Sequence, residues 1–456
     1  MSSEESSSPS TTIKNNTESM RVSPVAVSSA SPTLLQGLTT CIVGGGNSAH
    51  VLIPLLSEAG HRVHLLTRRP EAWSPEGDDG GAVFCDDTDG NTGEVMLTRE
   101  GRIDRKSSDP ADVIPDADVV VLCMPVHQYR PALARIAPFI NREKEEVFVG
   151  TVFGQAGFDW MVRSDVVKAC QLNNVVAFAI GSIPWICRTT EYGRRGACYG
   201  PKVVNTVAVS PSDKFHKLDD IFLNDISYRP YQSGKFRLGE FLDMTLTVDN
   251  QIIHPGRCYG LHLRYGGEWP TADDVPYFYR DFDEISADAL RKLDDDYTKV
   301  REAVKKRFPN RDFRYMLSYL EMERLNHGSS NDDILVSLRD SRQLASIKTP
   351  AVEEEVDVDD ENGEKKKKTV WRLNRNHRFF DDDIPYGLLI AKWMGEKLGV
   401  ETPFVDEVIV WAQRLTGRHY LDENTMKIDY EYCLGEKYAS GIPDSYGISG
   451  IEGILD

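Results

Sequence analysis

Two segments in the second half of the chain hold residue types that can move protons and bind anions. The first is Asn250-Gln251-Ile252-Ile253-His254-Pro255-Gly256. His254 is a candidate acid or base, because an imidazole exchanges a proton near neutral pH. The second is His377-Arg378-Phe379-Phe380-Asp381-Asp382-Asp383-Ile384-Pro385-Tyr386-Gly387. Its arginine, Arg378, can grip a carboxylate through two parallel hydrogen bonds. A carboxylate in this run can orient an imidazole and stabilise its charged form. The same residues also suit a helix start, with Asp caps ahead of Ile-Pro, and the two readings are compatible. The chain has 10 histidines, most of them expected to be structural, so these segments alone assign no reaction.

A partner for such chemistry is written near the other end. Gly44-Gly45-Gly46-Asn47-Ser48-Ala49 is a G-x-G-x-x-A between an apolar, strand-like run and an apolar run at helical spacing. Gly44 permits the tight turn, Gly46 lets the backbone approach a pyrophosphate, and Ala49 lets helix and strand pack closely. The exposed N–H groups of the helix start, from Asn47 onward, then bind phosphate. This context points to a dinucleotide. A nicotinamide cofactor specific for NAD usually meets an acid about twenty residues on, at the end of the second strand. Here the run is Leu66-Thr67-Arg68-Arg69. Arg68 and Arg69 suit the 2′-phosphate of NADP, so NADP is favoured over NAD. Gln128 and Thr151 follow or end two further strands on the ligand side of the sheet and are candidates for lining a substrate site. Each is equally readable as a polar group satisfied locally.

The elements that must position these residues follow from periodicity. Leu38–Arg69 reads as strand, glycine turn, helix and strand, a βαβ opening. A hairpin-like, Gly/Asp-rich stretch follows around Asp78–Gly93. The runs ADVVVLCMPV (117–126) and EVFVGTVFG (146–154) are continuous and apolar, as strands buried on both faces must be. NVVAFAIGSIP (174–184) and KVVNTVAVSP (202–211) continue the pattern. The fold class expected is an α/β N-terminal Rossmann domain with a doubly wound parallel sheet, residues 37–232, followed by a mainly α-helical domain, residues 233–456. Residues 1–36 are expected to be a disordered tail. Residues 353–368, EEEVDVDDENGEKKKK, cannot supply a core and are expected to form a flexible, solvated insertion.

The bulk composition narrows the partners. The net charge is −18, which argues against a nucleic-acid or anionic-membrane partner. The 8 cysteines are scattered, with no CxxC, so neither a disulfide framework nor a metal site is expected and a reducing, cytoplasmic setting fits. No run approaches the ~18 apolar residues of a membrane span.

Taken together, GGGNSAH, SIPWICR (182–188), NQIIHPGRCYG (250–260) and RFFDDDIPYGL (378–388) resemble, in that order, the opine dehydrogenase family of octopine and nopaline dehydrogenases. The likeness spans roughly residues 37–420. It implies NAD(P)H-dependent reductive condensation of an amino acid with an α-keto acid such as pyruvate, through an imine. It further implies that His254 is the catalytic histidine, Asp383 its acidic partner and Arg378 a substrate-site arginine. In the mechanism expected here, positive charge or Gln128 and Thr151 hold the keto acid's carboxylate, and a monomer or homodimer is expected. Two other readings remain open: a two-domain hydroxy-acid or sugar-acid dehydrogenase, and an NAD(P)-sensing protein without turnover.

Overall fold

The computed structural model describes residues 37–73, 81–90, 92–359, 365–436 and 438–455. The tail 1–36, part of the Gly/Asp-rich stretch and the centre of the charged run lie outside the described residues.

In chain order the strands of the first half are β1 (Thr39–Val43), β2 (Arg62–Leu66), β3 (Val83–Thr88), β4 (Val95–Gly101), β5 (Arg105–Ser107), β6 (Val119–Leu122), β7 (Val147–Thr151), β8 (Val175–Ile180), β9 (Trp185–Glu191), β10 (Arg195–Pro201), β11 (Val204–Ser210) and β12 (Lys235–Gly239). Eight of them form one sheet in the order β12-β11-β8-β7-β6-β1-β2-β5. Every residue of β1, β6 and β7 is buried, which is why these strands read as unbroken apolar runs. Val43 lies opposite Leu66 on β2 and Leu122 on β6. The strand order reverses at β1, so the crevice past the carboxyl ends of β1 and β6 is where this topology places a ligand.

Two expectations change. KVVNTVAVSP forms β11, which runs antiparallel to β8. The chain between them is the β9–β10 hairpin rather than a crossover helix, and only a crossover returns a strand parallel. The sheet also continues past residue 232, because β12 pairs in parallel with β11. A second sheet, β4-β3-β10-β9, packs against the first helix, Asn47–Glu58.

The second half is built on helices Asn250–Tyr265, Glu284–Arg307, Leu389–Leu398 and Pro403–Thr416. One face of the large sheet shares a continuous apolar core with them: Val43, Leu122 and Tyr129 belong to the same buried cluster as Ile252, Leu290 and Trp393. Beside them is a three-stranded sheet of β13 (Glu268–Trp269), β14 (Ala351–Asp359) and β15 (Lys365–Leu373). The acidic–basic run, expected as a loop, is therefore paired strand in its described parts. Asp357 opposes Lys367, and Lys367 also pairs with Glu355 at 2.7 Å, so opposite charges sit across the ladder where they stabilise it. The Lys365–Lys368 side is exposed, as a segment without apolar side chains must be.

Candidate active site

Glycine is required where the chain leaves β1. Gly44 has φ +109°, and a Cβ there would stand 2.6 Å from the Cys123 carbonyl oxygen. Gly46 precedes the helix, whose start has no side-chain cap. The first N–H groups of that helix thus stay available for an anion. Ala49 is fully buried. Asn47 Oδ1 accepts hydrogen bonds from the Thr189 N–H and hydroxyl at 3.0 and 2.9 Å, which ties the loop to β9. These residues fit the pyrophosphate of a dinucleotide. Arg68 and Arg69 are exposed just beyond β2, with the Arg69 guanidinium 4.3 Å above the Tyr192 ring.

A cavity of about 940 Å³ runs from Asn47 to His254 and Arg378 and beyond. His254 lies on the helix Asn250–Tyr265 and is 2% exposed. Two glycines of the HPGRCYG motif let that helix sit tightly on the next. A Cβ on Gly256 would be 3.3 Å from Leu290 Cα, and one on Gly260 would be 2.6 Å from Ser286 Cα. Arg257 locks the same contact, donating to Ser286 Oγ at 2.9 Å and to the Asp281 carbonyl at 2.8 Å. On the other side Gly387 lies where a Cβ would meet Gln251 Cβ at 2.5 Å. This approach brings the wide turn Ile384–Leu388, and Asp383 before it, against the histidine helix.

The result is a His254 Nδ1–Asp383 Oδ2 contact of 2.8 Å. The imidazole stacks on Phe379, with centroids 3.7 Å apart and planes inclined by 20°, and its Nε2 stands 3.4 Å from the Tyr279 hydroxyl. Burial holds His254 well below the usual imidazole range, and the charges of Arg378 and His377 add to the effect. Burial and the neighbouring Asp382 carboxylate push Asp383 well above the usual carboxyl range. Both shifts have the same origin, a site that disfavours charge. Arg378 is half-exposed, and its guanidinium lies 3.7 Å from Asp382 Oδ2.

The sequence-based site is thus partly assembled. His254, Arg378 and the Asn47 end of the glycine loop meet around one cavity, and Asp383 backs His254 from outside its lining. Gln128 and Thr151 do not line it. Thr151 is fully buried, and its hydroxyl donates to the Tyr129 hydroxyl at 2.8 Å, because a buried strand hydroxyl must find a partner. Gln128 is exposed. Its neighbour His127 faces the helical half instead: the backbone N–H and ring Nδ1 of His127 approach Asp382 Oδ1 at 2.9 and 2.6 Å. Residues overlooked in the sequence include this pair, Tyr279, Arg188 and Lys202. Arg188 was visible as the end of SIPWICR and Asp382 within RFFDDDIPYGL; Tyr279, Lys202 and the turning of His127 had no local signal.

Comparison with known proteins agrees with this architecture. Residues 237–416 match the family described as NAD/NADP octopine/nopaline dehydrogenase, alpha-helical domain. Octopine dehydrogenase of Mizuhopecten yessoensis is 25% identical over 436 residues, covering 92% of this chain and 98% of the relative. Tauropine dehydrogenase of Arabella iricolor is 24% identical over 433 residues, covering 92% and 99%. Among solved structures, octopine dehydrogenase with NADH and L-arginine superposes with a TM-score of 0.70 at 22% identity, covering 92% of this chain and 98% of that one. Yersinopine dehydrogenase with NADP+ gives 0.57 at 14% identity, covering 90% and 99%. With a matching helical domain, relatives aligned over nearly their whole length and the same two-part fold, the chain is similar throughout to the octopine and opine dehydrogenases.

Proposed function

We propose that this protein catalyses the NAD(P)H-dependent reductive condensation of an amino acid with an α-keto acid such as pyruvate, by way of an imine. The observation that carries the reading is His254, backed by Asp383 at 2.8 Å, on the wall of a cavity that Asn47 of the phosphate loop also lines. The relatives named above are enzymes of this CH–NH oxidoreductase class.

The chain's own residues supply binding and proton handling. Arg378 and Arg188 line the cavity and offer guanidinium groups to the keto-acid carboxylate. Asp383 orients the His254 ring and fixes its tautomer. The ring's Nε2 then takes a proton as the amine attacks the keto carbon, and returns one to the carbinolamine oxygen as water leaves. Phe379 and Phe278 wall the ring from solvent. NAD(P)H, when bound along the glycine loop, supplies the hydride that reduces the imine carbon. Arg68 and Arg69 favour NADPH, since no carboxylate stands at the end of β2 to hold a ribose 2′-hydroxyl.

The test follows oxidation of NADPH and NADH with pyruvate, with and without a panel of amino acids. Amine-dependent oxidation is expected. His254→Ala should lower kcat by roughly 10²–10⁴-fold with cofactor affinity nearly unchanged. Oxidation with keto acid alone, or full activity in the variant, rejects the proposal.

A further inference from the structure

Past the histidine, the cavity continues to charged side chains that the reaction above does not use. Lys202 stands just before β11, beside the carboxyl end of β8, and is 7% exposed. Its ammonium donates to the Ser182 hydroxyl and forms no ion pair among the described residues. Asp249 stands just ahead of the helix that carries His254. An aspartate there ordinarily caps the helix, yet its side chain makes no capping hydrogen bond. The Asp249 backbone N–H is held instead by Gln251 Oε1 at 3.0 Å, and the Gln251 amide donates to the Thr247 carbonyl at 2.8 Å. The Asp249 carboxylate is thereby left unspent, and it lines the same cavity as Lys202 and His254.

A buried ammonium with one hydroxyl partner has unused donors, and burying such a charge is costly unless it is paired. Burial lowers Lys202 and raises Asp249 relative to their ordinary ranges, the signature of charges awaiting compensation. Fixed charges of opposite sign that share a cavity without touching suit a guest that is itself dipolar. We infer that Lys202 and Asp249 form the subsite for the zwitterionic head of the amino-acid substrate. Its α-carboxylate lies on Lys202 and Ser182, and its ammonium lies on Asp249. Asp249 precedes His254 by about 7.5 Å of helix rise, which leaves room for the substrate nitrogen between carboxylate and imidazole. The inference rests on the opine dehydrogenase reading and divides the site: Arg378 serves the keto acid, Lys202 the amine donor.

The experiment compares Lys202→Met with the unaltered protein. The amine donors are the best amino acid of the panel and the amine lacking its α-carboxylate. In the unaltered protein the carboxylate-free amine should show a KM higher by ~10–100-fold, the worth of charge-assisted hydrogen bonds. In Lys202→Met the amino-acid KM should rise by a similar factor, the preference for a carboxylate should disappear, and the pyruvate KM should stay within ~3-fold. Asp249→Asn should raise the KM of both donors. If Lys202→Met turns over normally and still prefers the carboxylate, the subsite is overturned while the condensation reading stands. Should the unaltered protein show no turnover, calorimetric titration of L-alanine into the NAD+-loaded protein separates the two ideas. Binding lost in Lys202→Met supports the subsite without the reaction; absence of binding, or binding equal in the variant, overturns it.

Discussion

At the scale of single residues, His254 is defined by where its proton resides. Burial and the nearby Arg378 and His377 disfavour the imidazolium. A depressed imidazole gains charge only at pH below its ordinary range, so the ring meets an arriving amine uncharged. In an NMR pH titration, the His254 resonances, assigned by their loss in His254→Gln, should stay fixed between about pH 8 and 6.5. A midpoint at or above the ordinary imidazole value would contradict the desolvated site described here. The identity of His254 as the proton carrier was visible in the sequence motif, whereas its stacking on Phe379 and its contact with Tyr279 depend on residues distant along the chain.

At the scale of elements, glycines decide how closely the catalytic helix approaches its neighbours. A methyl group at Gly260 would meet the Ser286 backbone at 2.6 Å, and a backbone atom cannot rotate away. Gly260→Ala is expected to cost about 1–3 kcal/mol, read as a lower denaturant midpoint at unchanged m-value, and to lower kcat by displacing His254. Gly435→Ala, where no atom lies within 4 Å of the added Cβ, is the matched control and should leave the midpoint unmoved. The mainly helical character of the second half was legible from its apolar spacing. The antiparallel course of β11 was not, because burial on both faces yields the same apolar run in either direction. The pairing of the acidic and basic strands escaped for a related reason. Charge runs report solvation, and cross-strand complementarity emerges only once a register is set.

At the scale of the molecule, the two halves are joined by a shared core and by polar contacts across it. Asp382 reaches from the helical half to the turn after β6 and accepts from the His127 backbone N–H at 2.9 Å. Trp160 donates its indole N–H to the Ile454 carbonyl at 3.0 Å. Because Asp382 adjoins Asp383, its contact with His127 sets the register of the histidine pair over the carboxyl edge of the sheet. Asp382→Ala should lower kcat by roughly tenfold or more while leaving NAD(P)H affinity nearly unaltered, since loss of a hydrogen bond to a charged group costs about 1.5–3 kcal/mol. Equal losses in cofactor affinity and turnover would assign Asp382 to general stability instead.

Local order sufficed for the glycine turn at Gly44–Ala49, the βαβ opening and the candidacy of His254 and Arg378. Steric and periodic rules act over a few residues and leave their mark directly in the chain. The partnership of His254 with Asp383, 129 residues apart, followed from family resemblance and needed folding to become a distance. The pairing of Thr151 with Tyr129, the turning of His127 toward Asp382 and the placement of Lys202 and Asp249 on one cavity were settled by packing alone. Which face of a buried strand or turn meets the cavity depends on neighbours that arrive from elsewhere in the chain, and no short window of residues contains them.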